Sequence, residues 1–138
     1  MRHEIRETKR GIAGRRFRGI KAWQRSDDLI ALVYEATQHF PREERYGLTS
    51  QIRKAAVSVA ANIAEGSARR SRPEYLQFLS MAKGSLTELS YYVHLSRRLG
   101  FLNGATADEL EQRCDEASRV LYGLTRAVAQ EAEAAAHV

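Results

Sequence analysis

The chain has 138 residues, of which 43% are hydrophobic and 28% charged. That suits one globular core, is short for two, and is too apolar for a disordered chain. Its formal charge of +5 and single cysteine, Cys114, exclude an intramolecular disulfide framework and direct attention to anionic partners.

The basicity begins at the N-terminus. Residues 1–25 carry nine Lys/Arg against two Glu, whereas the remainder holds 13 basic and 15 acidic residues. Residues 1–18 therefore read as a mobile basic arm without apolar periodicity. Its Arg15, Arg16 and Arg18 are candidate phosphate contacts, because such an arm attracts a phosphate backbone by counterion release without reading sequence. The arm lacks the apolar segment of a signal peptide. No apolar run in the chain approaches the ~20 residues of a membrane span, so a cytoplasmic protein with no membrane partner is expected.

From Ala22 the pattern is helical. Trp23, Leu29, Ile30, Val33, Ala36 and Phe40 recur at three- and four-residue steps and predict a helix over 21–39, ended by Pro41. After a loop closed by Gly47, a second helix is expected over 49–68. Its face of Leu48, Ile52, Ala55, Ala56, Val59, Ala60, Ile63 and Ala64 is rich in alanine and invites close approach. The third helix opens with a capping box at Ser71-Arg72-Pro73-Glu74. It continues through Tyr75, Leu79, Ala82, Leu86, Leu89, Val93 and Ser96, and Gly100 stops it. A capping box at Thr106-Ala107-Asp108-Glu109 opens the fourth, with Leu110, Cys114, Ala117, Leu121, Leu124 and Val128 on its apolar face. The sequence thus predicts an all-α, antiparallel up-down-up-down four-helix bundle over residues 19–130, with 131–138 frayed.

Tests for catalysis are negative. A di-iron bundle site needs Glu-x-x-His pairs, and none occurs, so no metal or other cofactor is expected. Cys114 has no nearby histidine in sequence and reads as a small buried hydrophobe. There is no GxxxxGK[ST] loop for a nucleotide. The expectation is a non-enzymatic protein.

Polar residues lie on helices that should be packed: Ser58, Asn62 and Glu65 on the second, Gly84, Ser85 and Glu88 on the third. A polar network that fixes register is the favoured reading, with Arg53 or Lys54 meeting Glu88 across the interface. In an up-and-down bundle the arm and the turn bearing Arg69, Arg70 and Arg72 share one end. Arg42, Arg45, Arg97 and Arg98 share the other and rank second as nucleic-acid contacts. Little exposed aromatic interleaving is expected, so sequence-specific single-strand readout is not supported. The acidic fourth helix is a candidate surface for a protein partner.

The strings IKAWQRSDDL, FPREERYGLTSQIRKAAVSVAANIAEGSARRS and EYLQFLSMAKGSLTELSYYVHLSRRLGFL span about residues 17–128. They resemble the bacterial four-helix-bundle proteins encoded in 23S rRNA intervening sequences, a fold family that includes the accessory variability determinant of diversity-generating retroelements. The resemblance implies a homopentamer with a positively charged surface that engages RNA or DNA, without enzymatic activity. In the retroelement relative it also implies docking to a reverse transcriptase. It marks Gln51, Arg53, Asn62, Glu65, Gly66, Ser85 and Glu88 as family-typical positions of architectural role, and residues 1–16 as an addition to the family pattern.

Overall fold

A computed structural model describes residues 15–137; positions 1–14 of the basic arm and Val138 lie outside the described residues. A 3-10 turn at Arg16–Gly19 leads into four helices: α1 Lys21–Thr37, α2 Leu48–Ser67, α3 Arg72–Arg98 and α4 Gly104–Ala136. A second 3-10 turn, Arg42–Glu44, lies in the α1–α2 loop, and no strand occurs among the described residues. Each helix packs on its chain neighbours and α4 closes back on α1, with no diagonal pair in close backbone approach. Short loops make successive helices antiparallel, which gives the expected up-down-up-down bundle.

Periodicity decides the core. On α3 the buried residues are Tyr75, Leu79, Ala82, Leu86, Leu89, Val93 and Ser96, the set that the spacing predicts. On α4 Leu110, Cys114, Ala117, Leu121 and Val128 are buried together with Ala107, while Leu124 is half-buried. The seam of α1 is different: Ala22, Ser26, Leu29, Val33 and Thr37 are buried, and Trp23, Ile30 and Ala36 flank them. Hydrophobicity passes over Ser26 and Thr37 because their hydroxyls are satisfied locally. Each donates to the carbonyl four residues back, Ala22 O and Val33 O, at 2.8 Å, so neither leaves a buried polar group unpaired.

The helix ends follow from capping chemistry. The first helix stops at Thr37, two residues before the expected end, and the chain turns so that Phe40 N–H donates to Thr37 O at 3.2 Å. Buried Phe40 then packs on Phe101, with ring centroids 5.6 Å apart. At the start of α2 the Glu44 carboxylate accepts from Leu48 N–H at 2.9 Å, an acidic group at a helix N-terminus where the dipole favours it. Ser71 Oγ accepts from Glu74 N–H at 3.2 Å, the N-cap half of the expected box, while the Glu74 side chain makes no return bond among the described residues. Gly100 takes φ +77°. Around it Gly100 N–H donates to Arg97 O and Phe101 N–H to Ser96 O, the paired bonds of a Schellman stop.

Two expectations about α4 need correction. The helix starts at Gly104, not at Thr106, because Asn103 Oδ1 accepts from Thr106 N–H at 2.8 Å. Asn ranks above Thr as an N-cap, and Thr106 is left inside the first turn. At the other end the helix runs to Ala136 instead of fraying after residue 130. Alanine and glutamate are good helix formers, and Glu131 is held by Arg72 at 2.8 Å.

The most intimate pair is α2 with α3. Small residues on α2 (Ala55, Ala56 and Ala60) are buried, and at Gly66 α3 approaches too closely to admit a side chain. A Cβ at Gly66 would lie 2.7 Å from Phe78 Cβ and 3.0 Å from Tyr75 Cδ1.

Candidate nucleic-acid interface

The polar residues of the α2–α3 seam divide by role. Ser58 Oγ and Ser85 Oγ share a hydrogen bond of 2.8 Å. The Asn62 amide donates to Ser58 O at 2.9 Å and to its hydroxyl at 3.1 Å. This half-buried network joins the two helices as the register reading expects. Glu65 stands outside it, exposed and paired with Arg69 at 2.7 Å. Gln51 and Glu88 are exposed.

The expected ion pair between Glu88 and Arg53 or Lys54 does not form among the described residues. Arg53 turns the other way. Its Nε donates to Thr37 Oγ1 at 2.8 Å and its Nη2 to Tyr34 O at 3.4 Å. Its guanidinium lies 4.5 Å from the centroid of the Tyr34 ring. The cause is rotation: five residues separate Arg53 from Ser58, which is about 140° around a helix of 3.6 residues per turn. If Ser58 faces α3, Arg53 must face α1.

Cys114 is buried, and burial pushes its thiol from 9.0 up to about 11, against a smaller opposing effect of a hydrogen bond to Ser90. The thiolate is the nucleophile, so this residue is unsuited to catalysis near neutrality. The raised value also links to stability. Folded and unfolded chains hold the same proton well below pH 9, whereas between about 9 and 11 only the folded thiol keeps it. Stability from this group is therefore complete below that window and is lost as pH rises through it. A thiol reagent at pH 8 is expected to leave the native protein unmodified and to label it fully in denaturant. Among the described residues no group of three or more His, Cys, Asp and Glu is placed to hold a metal ion.

The basic residues fall at the two ends of the bundle as topology predicts. Near the N-terminal turn, where Arg15, Arg16 and Arg18 are exposed, Arg16 Nη2 reaches Ser67 O at 3.4 Å. This ties the turn to the end of α2, beside Arg69, Arg70 and Arg72. Two of the arginines at this end are already compensated. Arg69 meets Glu65 at 2.7 Å and Arg72 meets Glu131 at 2.8 Å. Arg97, at the other end, pairs with Asp108 at 2.6 Å and Glu111 at 3.5 Å. Such exposed pairs add little stability, yet each sets a carboxylate where a phosphate would have to come. Four of the seven acidic residues on α4 are occupied in this way, counting Glu116, which meets Arg25 at 2.9 Å.

A group of cations without carboxylate partners also lies at the α1–α2 loop, with the exposed Glu43 beside it. Arg42, Arg45, Arg53 and Lys54 have no carboxylate partner among the described residues, and neither do Arg70 and Arg98. Two adjoining concavities open there and share Arg45, Thr49 and Arg53. One, of about 660 Å³, adds Tyr34, Tyr46 and Lys54, and the other, of about 270 Å³, adds Arg42. No carboxylate lines either among the described residues. Two of the three arginines of the Arg69–Arg72 turn are thus paired with carboxylates, whereas Arg42 and Arg45 are not. Of the residues lining the larger concavity, Lys54 is expected only as a partner for Glu88, and neither Tyr34 nor Tyr46 is singled out from the sequence. Their signal is an exposed Tyr46 in a basic loop and a Tyr34 off the apolar stripe of α1.

The family model described as "23S rRNA-intervening sequence protein" matches residues 18–123. Among solved structures, a protein of unknown function from the S23 ribosomal protein family of Bacteroides thetaiotaomicron VPI-5482 superposes with a TM-score of 0.68 at 18% identity. The match covers 75% of this chain and 97% of the other, a likeness of fold. No curated protein matches the sequence. No described helix is long and apolar enough to cross a membrane.

Proposed function

The chain belongs to the 23S rRNA-intervening sequence protein family, and from that premise we propose that it is a non-enzymatic, self-associating bundle that binds RNA or DNA through its basic ends. The observation that carries this reading is the pair of adjoining concavities at the α1–α2 loop. They gather Arg42, Arg45, Arg53 and Lys54 with no lining carboxylate. Cations held without counter-charges suit a polyanion, whose bound counterions they displace.

Self-association multiplies such contacts. One copy that binds phosphate weakly gains avidity when several are held together. An exposed stripe on α3 supports an assembly: Met81 and Tyr91 are exposed, and between them Gly84 has nothing within 4 Å of the position a Cβ would take. A glycine inside a helix costs about 1 kcal/mol relative to alanine, and packing within the chain gives no reason for it there. Docking to a protein partner through α4 is the weaker reading, since most of the carboxylates there are engaged within the chain.

The test combines solution mass with binding. The purified, nuclease-treated protein is expected to run as a multiple of its 15.6 kDa chain. It should bind RNA or DNA with log K falling linearly as log salt rises. Absence of binding to both nucleic acids at low salt would sink the reading.

A further inference from the structure

We infer that the larger of the two concavities at the α1–α2 loop is a base-stacking groove for a single-stranded stretch of nucleic acid; this rests on the nucleic-acid reading above and specifies its mode. The groove brings two aromatic rings to a cationic surface. Tyr46 is 88% exposed and Tyr34 41% exposed, so both rings are open to solvent. Each ring has an arginine over it: Arg53 lies 4.5 Å from the Tyr34 centroid and Arg45 lies 5.9 Å from that of Tyr46. Lys54 and Ser50 complete the lining.

The two tyrosines are twelve residues apart and share the groove because the α1–α2 turn folds back on itself. This explains why the expectation of little aromatic interleaving fails here. Alternating rings, guanidinium planes and phosphate-binding cations are what sequence-tolerant single-strand binding uses, because every base offers a π-face. A duplex hides those faces in its own stack and offers only phosphates. Three acidic groups lie near and none lines the groove; Glu43 is exposed on the loop between Arg42 and Arg45. The Glu44 carboxylate is held on Leu48 N–H at 2.9 Å, and Glu35 lines a separate cavity on the α1–α4 side. The Arg53 contact with Thr37 Oγ1 holds the Arg53–Tyr34 stack in place before a base arrives, which lowers the ordering cost of binding.

The test compares three ligands of equal length at one salt concentration: a mixed-base single strand, an abasic single strand with the same phosphates, and a duplex. The wild-type protein is expected to prefer the base-bearing single strand. Tyr46→Leu should weaken that ligand by roughly 5- to 150-fold, the range for losing one stacked base. Its affinity for the abasic strand should stay unchanged, and Tyr46→Phe should restore binding. Tyr34→Leu should act in the same direction, with circular dichroism confirming the fold.

Equal binding of the base-bearing and abasic strands, unaffected by either leucine variant, would overturn the groove and leave a purely ionic association standing. A changed solution mass in Tyr46→Leu with unaltered affinity would also overturn it, by assigning this face to self-association. If no strand binds at low salt, the broader reading fails as well.

Discussion

Replacing Gly66 with alanine is expected to destabilise the bundle by about 1–2 kcal/mol, whereas the same change at Gly123 should stabilise it by up to about 1 kcal/mol. Both glycines lie inside helices, so both substitutions gain the helical preference of alanine over glycine. They differ in what the added methyl meets. At Gly123 there is nothing within 4 Å. At Gly66 the methyl would sit 2.7 Å from Phe78 Cβ and 3.0 Å from Tyr75 Cδ1. Phe78 Cβ is fixed to its own backbone and cannot swing aside, so α2 and α3 must separate or rotate. Overpacking of this kind costs about 1–3 kcal/mol and exceeds the propensity gain. Denaturant unfolding of the two variants and the wild type measures both effects against one m-value. Equal stabilisation at the two sites would mean that the close approach at Gly66 is not needed for packing.

The bundle was legible in the sequence because its core is periodic. The seven seam positions that the spacing marks on α3 are the buried ones, and Ser71 and Gly100 mark its two ends by capping chemistry that acts locally. Legibility failed where a side chain had a choice of partner. Arg53 could turn to Glu88 or to Thr37, and only its angular position on α2 decides. Ser26 and Thr37 looked too polar for a core, although each closes its hydrogen bond within one turn. The capping box at Thr106 predicts the start of α4 there, whereas the better cap, Asn103, lies three residues upstream.

The basic interface was less legible for a different reason. Sequence counts charges but does not see which are compensated. Arg69, Arg72 and Arg97 are each matched by a carboxylate. For Arg69 that partner is one helical turn away, and for Arg72 and Arg97 it arrives from α4, distant in the chain. Tyr34 and Tyr46 escaped notice because one lies in a helix and the other in a loop, and only the fold brings them to one groove.

Neutralising Arg42, Arg45 and Lys54 together, as Arg42→Gln/Arg45→Gln/Lys54→Gln, is expected to lower affinity for single-stranded nucleic acid by on the order of 10²–10³-fold at low salt. Each phosphate contact on a single strand contributes about 0.7 to the slope of log K against log salt. Three lost contacts should therefore flatten that slope by about 2, and each chain of an assembly loses the same three. The matched triple variant at the opposite end, Arg69→Gln/Arg70→Gln/Arg72→Gln, removes the same formal charge. Two of its arginines are already bound to Glu65 and Glu131, so about one phosphate contact disappears and the slope should flatten by only about 0.7. Comparing slopes, not affinities alone, separates contact from general attraction, because distant charge shifts binding without releasing a condensed counterion at the site. All six residues are exposed, and surface changes of this kind alter stability by about 0.5 kcal/mol or less. Unfolding midpoints close to that of the wild type should accompany both variants. Equal flattening at the two ends would show that the paired arginines open to receive phosphate, and that the Arg69–Arg72 turn is as much a part of the interface as the α1–α2 loop.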